Sequence, residues 1–141
     1  MPDMREFRFR MKVPWADTDA AMVVHFANYF KYFERTELEF YDNLGFNYAK
    51  TLSRSTLWFP RVEAHCRYLS PCQFDDEIEV SITLSGLKEK SVRYDMKLYN
   101  LTTQKISAEG YIVVVAVDKR IGKAVPIPKD FAEAIARYFR D

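Results

Sequence analysis

The stretch from Phe26 to Leu44 limits the folds open to this chain more than any other feature of its sequence. Aromatic residues recur in it at the three- and four-residue intervals of an α-helix, and no proline occurs between residues 15 and 59 to break that helix. Gly45 stands where the helix should end. Because so aromatic a helix must be covered by other parts of the chain, the fold needs a sheet that wraps around it.

The rest of the chain supplies strands for that sheet. Apolar residues alternate as in half-buried strands at Phe7–Val13, Ile78–Leu84, Val92–Leu98 and Ile106–Val117, and less regularly at Leu57–Leu69. The segment Tyr111–Val117 is apolar throughout, which predicts cover on both faces, and Pro128 introduces a closing helix. This order predicts one α+β domain over residues 1–141, with an antiparallel sheet wrapped around a long central helix.

The composition narrows the classes of function. With 21 basic and 20 acidic residues, the net charge of +1 gives no overall attraction to nucleic acid or anionic lipid. No apolar run reaches the roughly 18–20 residues of a membrane span, and residues 1–10 lack the apolar core of a signal peptide. Cys66 and Cys72 have no second pair, which argues against a zinc site. We expect a cytoplasmic protein with reduced thiols.

Two carboxylates precede the long helix in the segment PWADTDAAMVVHFANYF, residues 14–30. With the order of elements, this segment resembles the hot-dog fold and the 4-hydroxybenzoyl-CoA thioesterase family, which includes acyl-CoA thioesterases associated with the Tol–Pal system. The matching residues are Asp17, Asp19, Val23, Val24, Asn28, Tyr29, Glu34 and Arg35. Downstream, Tyr68 and Pro71 followed by Asp75 or Asp76 resemble a strand and turn of the same family. The resemblance covers nearly the whole chain.

This resemblance implies an acyl-CoA thioesterase, with Asp19 as the nucleophile or the general base. Thioester hydrolysis needs such a carboxylate together with donors for the developing oxyanion. The start of a helix offers unpaired N–H groups and the positive end of its dipole, and the resemblance assigns this role to the backbone N–H of Phe26. His25 could contact substrate or Asp19, and Asn28 could orient Asp19 or a water. Structural roles as turn or cap residues are the alternative for each of these side chains.

Three other carboxylates, those of Asp17, Glu34 and Glu37, lie in or near this segment. Asp17 is expected to shape the turn. Glu34 and Glu37 lie on the helix, where another branch of hot-dog thioesterases carries its catalytic acid. Ion pairs on the helix surface or at an interface are the favoured interpretation of both glutamates.

Binding of coenzyme A requires groups that hold phosphate and groups that hold the acyl chain. Lys88, Lys90 and Ser91 match the turn in which the resembled family meets the nucleotide phosphates, although a solvated hairpin explains them too. Met22 and Trp58 could line an acyl or aryl pocket, or belong to the core. The family usually has glycine at the position of Met22, so the turn must form without it or a bulkier group must line the pocket mouth.

The resemblance implies no metal and no redox cofactor, coenzyme A being part of the substrate. A single sheet of this type leaves an exposed edge, so we expect a homodimer or homotetramer with active sites at the subunit interface. Two alternatives remain. A hot-dog hydratase or dehydratase would pair a histidine with a carboxylate, and neither His25 nor His65 lies in such a motif. The second alternative is a protein that binds acyl-CoA without catalysing a reaction.

Overall fold

The computed structural model describes residues 5–51 and 54–140, so residues 1–4, 52, 53 and 141 of the predicted domain lie outside the described residues. Its main feature is a five-stranded antiparallel sheet with the strand order β1-β4-β5-β6-β3. These strands are β1 (Phe7–Lys12), β3 (Arg61–Tyr68), β4 (Glu77–Leu87), β5 (Ser91–Asn100) and β6 (Lys105–Val115). The short strands β2 (Leu57–Trp58), β7 (Val117–Asp118) and β8 (Lys123–Ala124) form a second, three-stranded sheet.

The predicted long helix is present, and the sheet covers one of its faces. A short 3₁₀ helix, Phe26–Asn28, leads directly into α1, Tyr29–Asn43. The helix ends before Gly45, whose φ of 87° only glycine adopts without strain. Its buried side chains are Tyr29, Tyr32, Phe33, Thr36, Glu37, Phe40 and Tyr41. The α+β hot-dog architecture predicted from the sequence is therefore confirmed.

The alternation of the strands explains which face of the sheet meets the helix. In β4 the buried residues are Ile78, Val80 and Ile82, and in β5 every second side chain is buried. The closing helix, α2 (Lys129–Arg140), adds Phe131 and Phe139 to the same core. Among the helices that the structure describes, none combines the length and the hydrophobicity needed to cross a membrane.

The prediction that the second half of β6 is covered on both faces is wrong. This strand is the neighbour of the edge strand β3, and it buries Ile112 and Val114 while Val113 and Val115 stay partly exposed. The edge strand β3 is exposed along most of its length and pairs with β6 on one side. In a single chain, one face of β6 therefore packs against the core, and the other face is only partly covered.

Candidate active site

Asp19 lies in a tight turn at the surface, seven residues before the start of the 3₁₀ helix. Its N–H donates to the carbonyl of Val23 at 2.9 Å, and the N–H of Met22 donates to the carbonyl of Asp19 at 2.9 Å. Its side-chain Oδ1 accepts the N–H of Ala21 at 2.8 Å. The turn therefore fixes one carboxylate oxygen and leaves the exposed side chain accessible to a ligand.

Asp17 holds this turn against the helix. Its buried carboxylate accepts hydrogen bonds from Lys31 Nζ at 2.8 Å and from the Tyr32 hydroxyl at 2.7 Å. Its backbone carbonyl accepts the N–H of His25 at 2.9 Å and the side-chain amide of Asn28 at 2.8 Å. Both the carboxylate and the backbone carbonyl of Asp17 therefore hold the turn in place, which is the role that the sequence predicted for this residue.

The start of the 3₁₀ helix offers an unpaired donor. Within the described part of the chain, no hydrogen bond involves the backbone N–H of Phe26. The Nδ1 atom of His25 accepts the N–H of Ala27 at 3.2 Å, which makes His25 the cap of this helix. The side chains of His25 and Asn28 thus both have structural contacts, and their catalytic roles stay predictions.

The loop that contains Gln73 and Asp76 contacts the turn that carries Asp19 and supports it. Val23 pairs with Gln73 in an isolated bridge. The buried carboxylate of Asp76 accepts the N–H of Gln73 and the side-chain amide of Asn100, each at 2.8 Å. Asp76 belongs to the downstream motif seen in the sequence, whereas nothing in the sequence pointed to Asn100. The turn that carries Asp19 is therefore held through two buried aspartates.

An open cavity of about 310 Å³ adjoins the helix start, with Phe26, Tyr29 and Tyr68 among its lining residues. The Tyr68 hydroxyl donates to the carbonyl of Phe26 at 3.0 Å. The phenol of Tyr29 is buried, and burial raises its pKa well above the usual range, so it stays neutral at physiological pH. This cavity gives a ligand largely uncharged walls beside the unpaired N–H of Phe26.

Met22 stands at the tip of the turn with a φ of 67°, in the left-handed region that favours glycine. Its side chain is 68% exposed. The turn is therefore made without the glycine that the resembled family usually has here, with methionine in a left-handed backbone conformation.

The residues predicted to bind coenzyme A lie at the two ends of the sheet. Lys88 and Lys90 are exposed in the turn that follows β4, whereas the Asp19 turn adjoins the other end of that strand. At about 3.3 Å per residue, β4 separates the two ends by roughly 30 Å. Ser91 starts β5 directly after Lys90. Trp58 pairs with Val117, and the neighbouring Ala116 donates its N–H to the carbonyl of Lys90 at 3.0 Å, so Trp58 lies at the same end of the sheet. Of the five residues predicted to bind coenzyme A, Met22 alone lies close to the Asp19 of its own chain.

Glu37 does not lie on the helix surface, so that expectation is wrong for this residue. It is completely buried, and its Oε2 atom accepts the Tyr41 hydroxyl at 2.6 Å and pairs with Arg61. Burial alone would lower the pKa of Arg61, but the charge and hydrogen bond of Glu37 raise it overall. In the sequence, Glu37 follows Phe33 by four residues and precedes Phe40 by three, so it falls at the helical spacing of the apolar face, and this position was the available signal for its burial. Glu34 is exposed.

Histidine, cysteine, aspartate and glutamate side chains of residues 5–51 and 54–140 form no group of three or more that could hold a metal ion. Cys66 and Cys72 are free thiols. Cys72 is buried, and burial raises the pKa of its thiol above the ordinary value of 9.0.

This chain resembles several known proteins over most of its length. A family model described as the thioesterase-like superfamily matches residues 13–135. The acyl-CoA thioesterase YbgC of Haemophilus influenzae is 29% identical over 128 residues, which cover 91% of this chain and 93% of the relative. A crystal structure of a hypothetical protein from Aquifex aeolicus has 31% identity and a TM-score of 0.85, covering 92% of this chain and 98% of that one. A gentisyl-coenzyme A thioesterase has 27% identity and a TM-score of 0.81, with coverages of 91% and 98%.

Proposed function

This chain belongs to the thioesterase-like superfamily and is a thioester hydrolase, and we propose that Asp19 is the carboxylate with which it hydrolyses acyl- or aroyl-coenzyme A. One observation carries the assignment of Asp19. The turn holds an exposed carboxylate beside a helix start whose first N–H, that of Phe26, has no partner among the described residues. A carboxylate next to a free oxyanion donor is the pair of groups that thioester hydrolysis needs.

In the proposed mechanism, the thioester carbonyl accepts a hydrogen bond from the N–H of Phe26. The helix dipole adds to the stabilisation of the oxyanion that develops there. Acting as a base, Asp19 takes a proton from water while the water oxygen bonds to the carbonyl carbon. The carbon–sulfur bond then breaks, and coenzyme A leaves as the thiol after receiving that proton. Acting as a nucleophile, Asp19 bonds to the carbon itself, and the carbon–sulfur bond breaks with release of coenzyme A as the thiolate. Water then hydrolyses the mixed anhydride to the free acid and regenerates the carboxylate of Asp19, while a proton from that water passes to the thiolate.

The proposal includes assembly of at least two copies of the chain. Lys88 and Lys90 lie too far along the sheet to serve the Asp19 turn of their own chain, so they would meet coenzyme A bound to another copy. The exposed edge strand β3 supports such pairing, because an unpaired edge favours association with a second sheet. No metal or redox cofactor takes part in the proposed reaction. The free thiols support a cytoplasmic location as a further part of the proposal.

The contacts of the two histidines favour hydrolysis over hydration or dehydration of the thioester. His25 uses Nδ1 to cap a helix. His65 stacks on Tyr111, with the two ring centroids 5.4 Å apart. Neither histidine forms a contact with a carboxylate of the turn among the described residues, as a hydratase mechanism would require.

The test is release of free thiol from a panel of short-chain, long-chain and aromatic acyl-CoA substrates. Because Cys66 and Cys72 react with the same reagents, a blank without substrate is subtracted. Turnover on part of the panel is the expected result, together with a dimer or tetramer in sedimentation velocity. Tight binding of every thioester without turnover would instead identify a non-catalytic acyl-CoA-binding protein. A monomer at working concentrations would contradict the shared active site.

A further inference from the structure

Tyr68 ends the edge strand β3 and belongs to the downstream motif seen in the sequence, but the proposed mechanism gives it no role. Its hydroxyl donates to the backbone carbonyl of Phe26 at 3.0 Å. Phe26 also carries the N–H that we propose as the oxyanion donor. Tyr68 therefore contacts, from another part of the fold, the residue that would polarise the thioester carbonyl.

The hydrogen bonds of the two peptide groups that flank Phe26 show what this contact adds. The first group contains the carbonyl of His25, which accepts the N–H of Asn28 at 2.9 Å. The second contains the carbonyl of Phe26, which accepts the N–H of Tyr29. Among the described residues, the hydrogen bonds of these two groups are local in the chain except the one from Tyr68, which spans 42 residues. Tyr68 is therefore their long-range anchor in the part of the chain that the structure describes.

The main sheet fixes the backbone of Tyr68. This residue pairs with Ala108 of β6, and the N–H of the next residue, Leu69, donates to the carbonyl of Ser107 at 2.9 Å. The strand β6 is itself paired on both sides, with β5 and with β3. The sheet thus supplies a fixed point from which the side chain of Tyr68 reaches the helix start.

Two aromatic neighbours fix the direction of the Tyr68 ring. It meets the ring of Phe26 edge to face with a centroid distance of 6.5 Å, and the ring of Tyr29 in the same way at 5.0 Å. Both distances lie within the range of about 4.5–7 Å in which aromatic pairs attract each other. Tyr29 is itself buried. Packing therefore directs the Tyr68 hydroxyl towards the carbonyl of Phe26.

The hydroxyl of Tyr68 remains a hydrogen-bond donor at physiological pH. Partial burial raises the pKa of this hydroxyl above the ordinary value of 10.0, so the phenol stays neutral. A neutral phenol has one proton to donate, and here that proton goes to the carbonyl of Phe26. The anchor is therefore intact over the neutral range of pH.

We propose that Tyr68 is a positioning residue, which holds the peptide groups of Phe26 so that the free N–H meets the developing oxyanion. This role rests on the proposed function, in which that N–H polarises the thioester carbonyl. An oxyanion donor stabilises the transition state most when its direction is set before the charge develops. Tyr68 acts through Phe26 and does not itself bond to the reacting atoms.

Tyr68 also lines the cavity beside Phe26, so a contact with the acyl group is the competing role. The two roles differ in how they depend on the substrate. Every thioester has the same carbonyl, so loss of the anchor should lower the rate by the same factor for any acyl group. Loss of a contact with the acyl group changes the rate by a factor that depends on that group.

The test compares Tyr68→Phe with wild type on each thioester of the panel that is hydrolysed. The variant keeps the ring and loses one hydroxyl at a residue that is 44% exposed, so we expect it to fold. We expect kcat to fall at least about tenfold, by a similar factor for short-chain, long-chain and aromatic substrates. The dissociation constant of a non-hydrolysable analogue should change by less than about twofold.

Tyr111→Phe is the matched control. The hydroxyl of Tyr111 also makes one hydrogen bond, to Glu63 at 3.2 Å. Successive side chains of a strand point to opposite faces, so Tyr111 lies on the other face of the sheet from the buried Ile112. We expect its kcat to match that of wild type. A Tyr68→Phe variant whose kcat stays within about twofold of wild type would overturn the proposal, as would a loss that varies with the acyl group or appears in the dissociation constant.

Hydrogen exchange separates a failure of this role from a failure of the proposed function. The N–H of Tyr29 donates to the same carbonyl as Tyr68, so its exchange rate reports how firmly that carbonyl is held. We expect exchange at Tyr29 to be at least about threefold faster in Tyr68→Phe and unchanged in Tyr111→Phe. If wild type hydrolyses no thioester of the panel, the proposed function fails, and exchange still decides whether Tyr68 holds the helix start. Unchanged exchange at Tyr29 in Tyr68→Phe would overturn the role of Tyr68 with or without turnover.

Discussion

Met22 provides a direct test of how the Asp19 turn is built. At its φ of 67°, a side chain crowds the backbone, which costs roughly 1–2 kcal/mol. Because the side chain is 68% exposed, its removal loses little buried apolar area. Glycine relieves the strain but adds about 0.4–1 kcal/mol of unfolded-state entropy. We therefore expect Met22→Gly to raise the free energy of unfolding by about 0.5–1 kcal/mol, even though it shortens an apolar residue.

The matched control is Met22→Ala, which removes the same exposed atoms but keeps Cβ and so keeps the strain. Urea denaturation measures the difference in free energy of unfolding between the two variants. In thermal unfolding, the melting temperature of Met22→Gly should exceed that of Met22→Ala by about 2–4 °C. Both variants retain the bond from the residue 22 N–H to the carbonyl of Asp19. If Met22→Gly proves no more stable than Met22→Ala, the left-handed backbone is not a cost and this reasoning is refuted.

Three further perturbations test other parts of the structure. Gly110→Ala should cost more than about 3 kcal/mol, because a Cβ would lie 1.9 Å from the carbonyl oxygen of His65; near-wild-type stability in chemical denaturation would contradict that packing. Asp17→Asn should lower the free energy of unfolding by about 1–2 kcal/mol and speed limited proteolysis of the turn that follows it, since a buried ionic hydrogen bond is lost. An unchanged cleavage rate would argue against the role of Asp17 in holding this turn. Burial raises the pKa values of Tyr41 and Tyr94 above the ordinary 10.0, so stability should be complete below pH 10. The free energy of unfolding should then fall by about 1 kcal/mol per group between pH 10 and 11, and urea midpoints that do not change over this range would count against it.

The sequence predicts the elements of this fold well, because their periodicities reflect local geometry. Alternation with a period of two identified every strand of the main sheet, and the aromatic spacing identified α1. Periodicity says nothing about the order of strands in a sheet. For that reason the apolar run Tyr111–Val117 suggested a strand covered on both faces, whereas β6 lies next to the edge.

The candidate site was only partly predictable for a related reason. Asp19 and the helix start are neighbours in the chain, so a local motif brings them together. The pairing of Glu37 with Arg61 and the support of the turn by Asn100 depend on contacts across 24 residues or more of chain, which a local motif does not encode. Likewise, the motif match at Lys88 could not show that the whole length of β4 separates it from the Asp19 turn.

The central claim is that Asp19 performs the chemistry, and Asp19→Asn tests it most directly. Asparagine keeps an oxygen that can accept the N–H of Ala21 at the position of Oδ1, so the turn is retained while the negative charge is lost. Asp75→Asn is the matched control, because it removes the charge of an exposed aspartate from another turn, at a backbone conformation that asparagine tolerates.

The measurement is kcat for the best thioester of the panel, together with the dissociation constant of a non-hydrolysable analogue, for wild type and both variants. We predict that Asp19→Asn lowers kcat at least about a hundredfold with the dissociation constant nearly unchanged, and that Asp75→Asn alters neither. Turnover by Asp19→Asn within a few-fold of wild type would contradict the account and move the catalytic role to another carboxylate, with Glu34 and Glu37 the next to be substituted.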